Sequence, residues 1–426
     1  MRPTRTILFD VTRLLRRRDA VTPTGIDRVV FEHARWLMHD SRASVVPVWN
    51  WRGRLSDMKP QKLMSHLKSI QANWDNDPLG ESIQRLQRVV QRINADLPAD
   101  DALREPRAIS RTSSVGSITR FVQSRKPAPL SPNAVYLSSA HSGLESPILL
   151  RSLAEKGAAS VVFIHDLIPI THPEFCRAGE WERHERRVRA TLSFAAQIAV
   201  NSQTTADELT LFAERKGLPL PPVTVVPLGV GGAFLESAAA VATRQPYFLA
   251  VGTLEARKNL PFLLMVWRLI TEALGNRAPK LVLVGSLGWE SESIVDLLDR
   301  SASLNKTVIE VAGLADRELS ALLKGANALL APSLAEGFNL PVAEALALGV
   351  PVIASDIPAH RELLSNSCQL IHPLDGPGWL SAVSKAAQIH QRLPPRIVST
   401  WQSHLSTLDR VITNAQPLSI DGGGRR

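Results

Sequence analysis

Two carboxylates eight positions apart, Glu336 and Glu344, mark the stretch Pro332-Ser333-Leu334-Ala335-Glu336-Gly337-Phe338-Asn339-Leu340-Pro341-Val342-Ala343-Glu344-Ala345. An apolar run, Ala328 to Ala331, leads into it as a buried strand leads into a loop. Asn339 offers a side-chain cap, and Pro341 stands in the first turn, where a helix tolerates proline. The open amides and positive end of such a helix form a seat for phosphate. Glu344 lies about one turn inside and leans toward the same mouth. A hydroxyl-rich ligand carrying a diphosphate suits two acids around an anion seat. An ordinary strand–loop–helix unit with Glu336 solvated fits the bare spacing equally well.

A second loop has complementary chemistry. In Val251-Gly252-Thr253-Leu254-Glu255-Ala256-Arg257-Lys258-Asn259-Leu260 a strand ends and Gly252 permits close approach. Arg257 and Lys258 then precede a helix whose first turn is itself positive. Two cations and a dipole in one place repel unless an anion joins them, and a diphosphate is the natural candidate. A solvated basic turn is the alternative.

The first half holds two further candidates. Val161-Val162-Phe163-Ile164 reads as a buried parallel strand that delivers His165 and Asp166 at its C-terminal end, where α/β proteins keep their chemistry. A structural histidine partnered by Asp166 would look the same. Gly25, in Thr22-Pro23-Thr24-Gly25-Ile26-Asp27-Arg28-Val29, opens a helix and lets backbone approach a ligand, or merely makes a turn. The basic run Arg13 to Arg18 before it reads as a solvated loop.

These strings resemble one family. Glu336-Gly337-Phe338, Leu340-Pro341 and Glu344-Ala345 are similar to the E-x7-E signature of the family-4 retaining glycosyltransferases, with Asn339 where glycine is usual. Gly252-Thr253-Leu254-Glu255 with Arg257-Lys258-Asn259 resembles that family's G-T-L-E-x-R-K-N loop, and His165-Asp166-Leu167-Ile168-Pro169 its H-D-L-I-P element. Gly25 resembles the glycine loop after the first strand, although paired glycines are more usual there.

The resemblance implies a GT-B fold: α/β, with two doubly wound Rossmann-like domains facing a central cleft. It implies Lys258 at the diphosphate, with Arg257 as the second cation, and Glu336 at the sugar hydroxyls. Glu344 falls to the ribose, the backbone near Leu314 to the base, and His165 to the donor sugar. With Gly337, Phe338, Asn339 and Leu340 around the anion seat, side chains and amides neutralise the diphosphate, and no metal or other cofactor is required. The implied reaction moves a hexose with retention from a sugar nucleotide to a saccharide or lipid-linked saccharide. Mannose from GDP-mannose, in bacterial polysaccharide synthesis, is the favoured donor, and rhamnose, glucose and galactose donors remain open.

The elements that must position these residues follow from apolar runs separated by helical stretches, which read as βα alternation. Strands are expected at Thr6–Asp10, Ser44–Trp49, Ala134–Leu137, Ser160–His165, Ile198–Asn201 and Thr224–Pro227. In the second half they fall at Tyr247–Val251, Lys280–Val284, Val308–Ala312, Ala328–Ala331, Pro351–Ala354 and Gln369–His372. The division expected is 1–240, with an insertion at about 51–130, then 241–395. A last helix within 396–415 returns to the first domain in relatives, and a disordered tail, 416–426, follows. Within the insertion, Ile83, Leu86, Val89, Val90, Ile93 and Leu97 form one helical stripe. Arg104, Arg107, Arg111, Arg120, Arg125 and Lys126 either decorate a solvated loop or meet an anionic membrane surface. Asp75-Asn76-Asp77 does not end a strand and is not read as a metal site.

Composition bounds the rest. At 426 residues, 44% hydrophobic and 21% charged, the chain is globular and long enough for two cores. A net charge of +9 suits an anionic partner. Aromatics at 5%, not interleaved with the basic runs, argue against a nucleic-acid stacking platform, although a non-catalytic nucleotide or RNA binder stays a rival. A nicotinamide-dependent dehydrogenase would need G-x-G-x-x-G, which surrounds neither Gly25 nor Gly252. Two distant cysteines, no signal peptide and no spanning run lead to a cytoplasmic expectation, or a peripheral one at the inner face of the membrane.

Overall fold

The computed structural model describes residues 5–418 except 19, 21–22, 40–43, 76–80, 96–126, 129, 141, 237–238 and 365–367. Leu97, Asn76, Asp77, the basic positions Arg104 to Lys126 and the tail from 419 lie outside the described residues.

The chain forms two compact units. Among the described residues, those up to 73, those of 112–228 and those from 401 onward make the first, and those of 74–111 and 229–400 the second. The first unit holds strands β1 (Thr6–Asp10), β2 (Ser44–Trp51), β3 (Arg54–Asp57), β4 (Val135–Ser138), β5 (Ala159–Ile164), β6 (Gln197–Val200) and β7 (Val223–Val225). Their order is β3-β2-β1-β4-β5-β6-β7, all parallel except the hairpin partner β3, which runs antiparallel to β2. The second unit holds β8 (Tyr247–Val251), β9 (Lys280–Val284), β10 (Val308–Val311), β11 (Ala328–Ala331), β12 (Val352–Ser355) and β13 (Gln369–Ile371). These pair in parallel in the order β10-β9-β8-β11-β12-β13.

Both sheets are Rossmann-like, as expected. β5 and β9 are buried along their whole length, because helices cover both faces of a parallel sheet. In each sheet the winding reverses once next to the first strand, between β1 and β4 and between β8 and β11. At such a reversal the adjoining loops diverge at the carboxyl ends of the strands and leave a crevice for a ligand.

Several expectations change. β3 was not foreseen; it forms because Arg52 and Gly53 take positive φ in a tight turn. The run Arg13 to Arg18 is no loop: Thr12–Arg17 is helical, and Arg13 and Arg17 pair with the buried Asp27. The division falls after Leu228 rather than after 240, and the helix Glu81–Asn94 groups with the second unit, not the first. Its Val89 and Ile93 are buried, and Arg92 Nη2 donates to Val308 O at 3.3 Å. Leu86 and Val90 are half-buried and Ile83 is exposed, so the stripe packs mainly through its C-terminal half. The last helix, Trp401–Asn414, groups with the first unit and is held there by Arg5, which donates to the carbonyls of Ile412, Thr413 and Ala415. No helix among the described residues is long and apolar enough to cross a membrane.

Candidate functional site

The crevice in the second sheet is a pocket lined by Gly252, Thr253, Lys258, Ser333, Asn339 and Pro341, among others. Its walls are the loops after β8 and β11, and a backbone bond from Leu334 N to Arg257 O (2.9 Å) joins them. Gly252, at φ +137°, is a position that L side chains rarely adopt, and a Cβ there would stand 3.2 Å from Lys258 Cε. The glycine therefore makes room for the lysine.

The two loops meet in a charge cluster. Lys258 Nζ lies 2.5 Å from Glu336 Oε1, and Arg257 Nη1 lies 2.6 Å from Glu336 Oε2. Ser333 Oγ donates to Glu336 Oε1 at 2.7 Å, while Arg257 Nε also pairs with Glu255 at 2.6 Å. Burial alone would push the Glu336 carboxyl up, yet Arg257 and Lys258 hold it far below the usual carboxylate range. Burial lowers the Lys258 ammonium from its ordinary value against the pull of Glu336. Arg257 and Lys258 thus do not wait for an external anion, contrary to the expectation: Glu336 supplies one from within the chain. Glu336 is only 6% exposed at its side chain, and Lys258 12%.

Asn339 also departs from expectation. It stands at φ +72° and makes no cap bond to the helix Leu340–Ala347. Its Nδ2 donates instead to His360 Nε2 at 2.8 Å, and His360 Nδ1 donates to Ser355 O at 2.8 Å. Burial lowers the His360 pKa, as an acceptor nitrogen requires. The left-handed backbone accounts for the glycine usual at this position; asparagine is among the few side chains that tolerate it. Phe338 and Leu340 are buried beside it, and Gly337 lies in the same loop. Glu344 is buried on the helix, 4% exposed.

Leu314 lies in the loop after β10, where Gly313 turns the chain at φ +71°. The helix Glu81–Asn94 reaches this loop: Arg85 Nη1 donates to Gly313 O (2.9 Å), and Ser82 Oγ accepts from Ala315 N (2.9 Å) and donates to Glu318 (3.1 Å). Nothing in the periodicity of residues 81–97 gave that contact away.

In the first unit, His165 Nε2 donates to Ser139 O at 2.8 Å. Asp166 is not its hydrogen-bond partner at that nitrogen, since the Asp166 carboxylate accepts from Ile168 N at 3.1 Å. Burial brings the His165 pKa down to about 4, so the ring is neutral at pH 7. Nearby, burial and the negative Asp166 push Glu208 up to about 7, and its carboxylate accepts from Leu167. Gly25 opens the helix Gly25–His39 and is exposed, with nothing within 4 Å of a Cβ built there. The helix start is instead a reciprocal cap: Thr24 N donates to Asp27 Oδ2 (2.9 Å) and Asp27 N to Thr24 Oγ1 (3.3 Å).

Of the expected site residues, Lys258 and Asn339 line one pocket and Glu336 and Arg257 join it through their ion pairs, whereas nothing lies within 4 Å of a Cβ built at Gly25. Ser333, Glu255 and His360 hold those residues in place, roles that their motif strings did not assign. Ser333 lies three residues before Glu336, a spacing that could have signalled a hydroxyl–carboxylate bond across a tight loop.

Comparison with known proteins places this pocket in a recognised domain. Residues 235–392 match the family described as glycosyl transferases group 1. Serotype-specific mannosyltransferase WbdA of Escherichia coli is 28% identical over 248 residues, covering 53% of this chain and 29% of that protein. O-antigen chain mannosyltransferase B of Escherichia coli is 34% identical over 132 residues, 31% of this chain and 34% of that one. The chain therefore spans only part of the curated relatives it matches, 29% and 34% of these two. The solved structure of Anabaena Alr3699/HepE in complex with UDP superposes with a TM-score of 0.55 at 13% identity, covering 97% of this chain and 96% of that one, a likeness of fold.

Proposed function

Because residues 235–392 carry a glycosyl transferases group 1 domain, we propose that the protein is a glycosyltransferase whose donor diphosphate binds in the pocket between the β8 and β11 loops. The observation that carries the proposal is the coincidence of three things at one point. The winding reversal of the second sheet, Lys258, and the start of the helix Leu340–Ala347 all meet at that pocket, with Arg257 joined to Lys258 through Glu336.

The proposed reaction breaks the bond between the anomeric carbon and the diphosphate oxygen and forms one to an acceptor hydroxyl. Its largest electrostatic task is to hold the charge that develops on the leaving diphosphate. In this reading Lys258 and Arg257 turn from Glu336 to the phosphate oxygens, and the amides around Gly337 add donors. Glu336, freed from full pairing, accepts hydrogen bonds from the sugar hydroxyls, and Glu344 from the ribose. Glu255 and Glu336 balance Arg257 and Lys258 in charge, and the proposed reaction exchanges these carboxylates for phosphate oxygens. Side chains and amides carry the neutralisation, and no step of the reading calls on a metal. His165, neutral and held by Ser139 O at its Nε2, is the first-unit residue proposed for the donor sugar.

Retention at the anomeric carbon, with the leaving phosphate taking the acceptor proton, completes the reading. Mannose from GDP-mannose is the proposed donor, supported by the mannosyltransferase names of the relatives. A saccharide or lipid-linked saccharide at the inner face of a membrane is the proposed acceptor. The test is a screen of sugar nucleotides for enzyme-dependent release of nucleoside diphosphate. GDP from GDP-mannose is the expected product; release from no sugar nucleotide, with or without glycan acceptors, would overturn the proposal.

A further inference from the structure

A chain of hydrogen bonds in the first unit links its last helix to His165. His404, on the helix Trp401–Asn414, and His33, on the helix Gly25–His39, are both buried. His404 Nδ1 lies 2.9 Å from Pro227 O, and its Nε2 lies 2.7 Å from His33 Nε2. His33 Nδ1 lies 2.7 Å from Ser139 Oγ, and Ser139 O lies 2.8 Å from His165 Nε2. The rings of His33 and His404 stack with centroids 5.0 Å apart, and Phe163 packs against His33, His404 and His165.

The directions of these bonds are determined. A carbonyl only accepts, so His404 carries hydrogen on Nδ1, and in the neutral ring its Nε2 is then a lone pair. The facing nitrogen, His33 Nε2, must therefore donate. His33 Nδ1 is left as the acceptor, and the Ser139 hydroxyl donates to it. The Ser139 carbonyl in turn accepts from His165 Nε2, which leaves Nδ1 of His165 as a lone pair. Burial depresses the pKa of all three histidines, which keeps each ring in the single-proton form that the pattern requires.

We infer that His33 and His404 are positioning residues: through Ser139 they lock His165 in the Nε2–H tautomer and fix its ring. The inference rests on the reading that assigns His165 to the donor sugar. Two bonds on one residue do the coupling. The Ser139 side chain is tied to His33 and its carbonyl to His165, so release of the hydroxyl loosens the backbone that orients the carbonyl. The last helix thereby sets the state of a residue from which it is far removed in sequence.

The test uses the full-length protein labelled with 15N-histidine, with ring tautomers read by long-range 15N–1H NMR at pH 7.5. Turnover is measured alongside with the donor found by nucleotide release. Wild type should show His165 as the Nε2–H tautomer. His404→Phe removes the acceptor of His33 and should turn His165 into a tautomer mixture, with kcat down at least tenfold and donor KM within threefold. Ser139→Ala deletes one hydroxyl from a folded core and should move both readouts in the same direction. His404→Gln restores an oxygen near the old Nε2 position and should recover the wild-type tautomer and most of kcat. An unchanged His165 tautomer in folded Ser139→Ala and His404→Phe would overturn the inference. A shifted tautomer with unchanged turnover would instead overturn the reading of His165 as a sugar contact, and the positioning role with it.

Discussion

Lys258 Nζ sits 2.5 Å from Glu336 Oε1, a bond between side chains 78 residues apart that closes the β8 loop onto the β11 loop. Lys258, which lines the pocket, is thereby paired with an acid of the facing loop. On the proposed reading, ligand binding at this site is an exchange of partners rather than the filling of an unpaired charge.

On the proposed reading Lys258→Ala removes one donor to the leaving diphosphate, and turnover should fall on the order of 10²–10³. Glu336 keeps Arg257 and Ser333 as partners, so the fold should survive. Near wild-type nucleotide release from a folded Lys258→Ala protein would contradict the assignment.

Glu336→Gln separates the two roles of that acid. The neutral amide competes poorly for Lys258 and Arg257, so the free nucleoside diphosphate should bind about tenfold more tightly by calorimetry. Turnover should nevertheless fall at least tenfold, because a sugar-hydroxyl acceptor is weakened. Weaker diphosphate binding in this variant would mean that Glu336 supports the anion site rather than competing for it.

Asn339 offers a test on stability. Alanine at φ +72° meets the left-handed penalty of about 1–2 kcal/mol and also loses the bond to His360, worth about 1 kcal/mol. Glycine loses only the bond. Denaturant unfolding should therefore rank wild type above Asn339→Gly, and Asn339→Gly above Asn339→Ala by about 1 kcal/mol or more. Equal losses would show that backbone strain does not operate there.

The buried histidines give stability an acid limit. The folded pKa of His404 is lowered to about 4 from 6.5, so as pH falls the unfolded chain binds its proton first. The contribution is complete above about 6.5 and disappears progressively toward 4, with a loss on the order of 3 kcal/mol for this residue. His165 has the same sign and window. Glu336, also depressed, adds its loss only below its ordinary value of 4.5. Urea midpoints should accordingly fall between pH 7 and pH 5; a flat profile over that range would contradict the burial argument.

Much of this was legible in the sequence because parallel strands buried on both faces write themselves as short apolar runs. β1, β8, β9 and β11 begin and end where those runs do. That the loops carrying Lys258, Arg257 and Glu336 follow strand ends was also legible. The illegible parts share a physical reason. β3 is made by a positive-φ turn at Arg52, a residue type that does not announce one. The attachment of Glu81–Asn94 to the second unit depends on Arg85 and Ser82 reaching backbone atoms over 200 positions away, which no local pattern encodes. Asn339 looked like a cap because asparagine commonly is one; its conformation was set by the loop and its side chain claimed by His360.

The most direct measurement is a crystal structure with the nucleoside diphosphate that the donor screen identifies. The account predicts both phosphates in the pocket between Gly252 and Asn339, with Lys258 Nζ moved from Glu336 to a phosphate oxygen. A nucleotide bound elsewhere, with the Lys258–Glu336 pair intact, would contradict it.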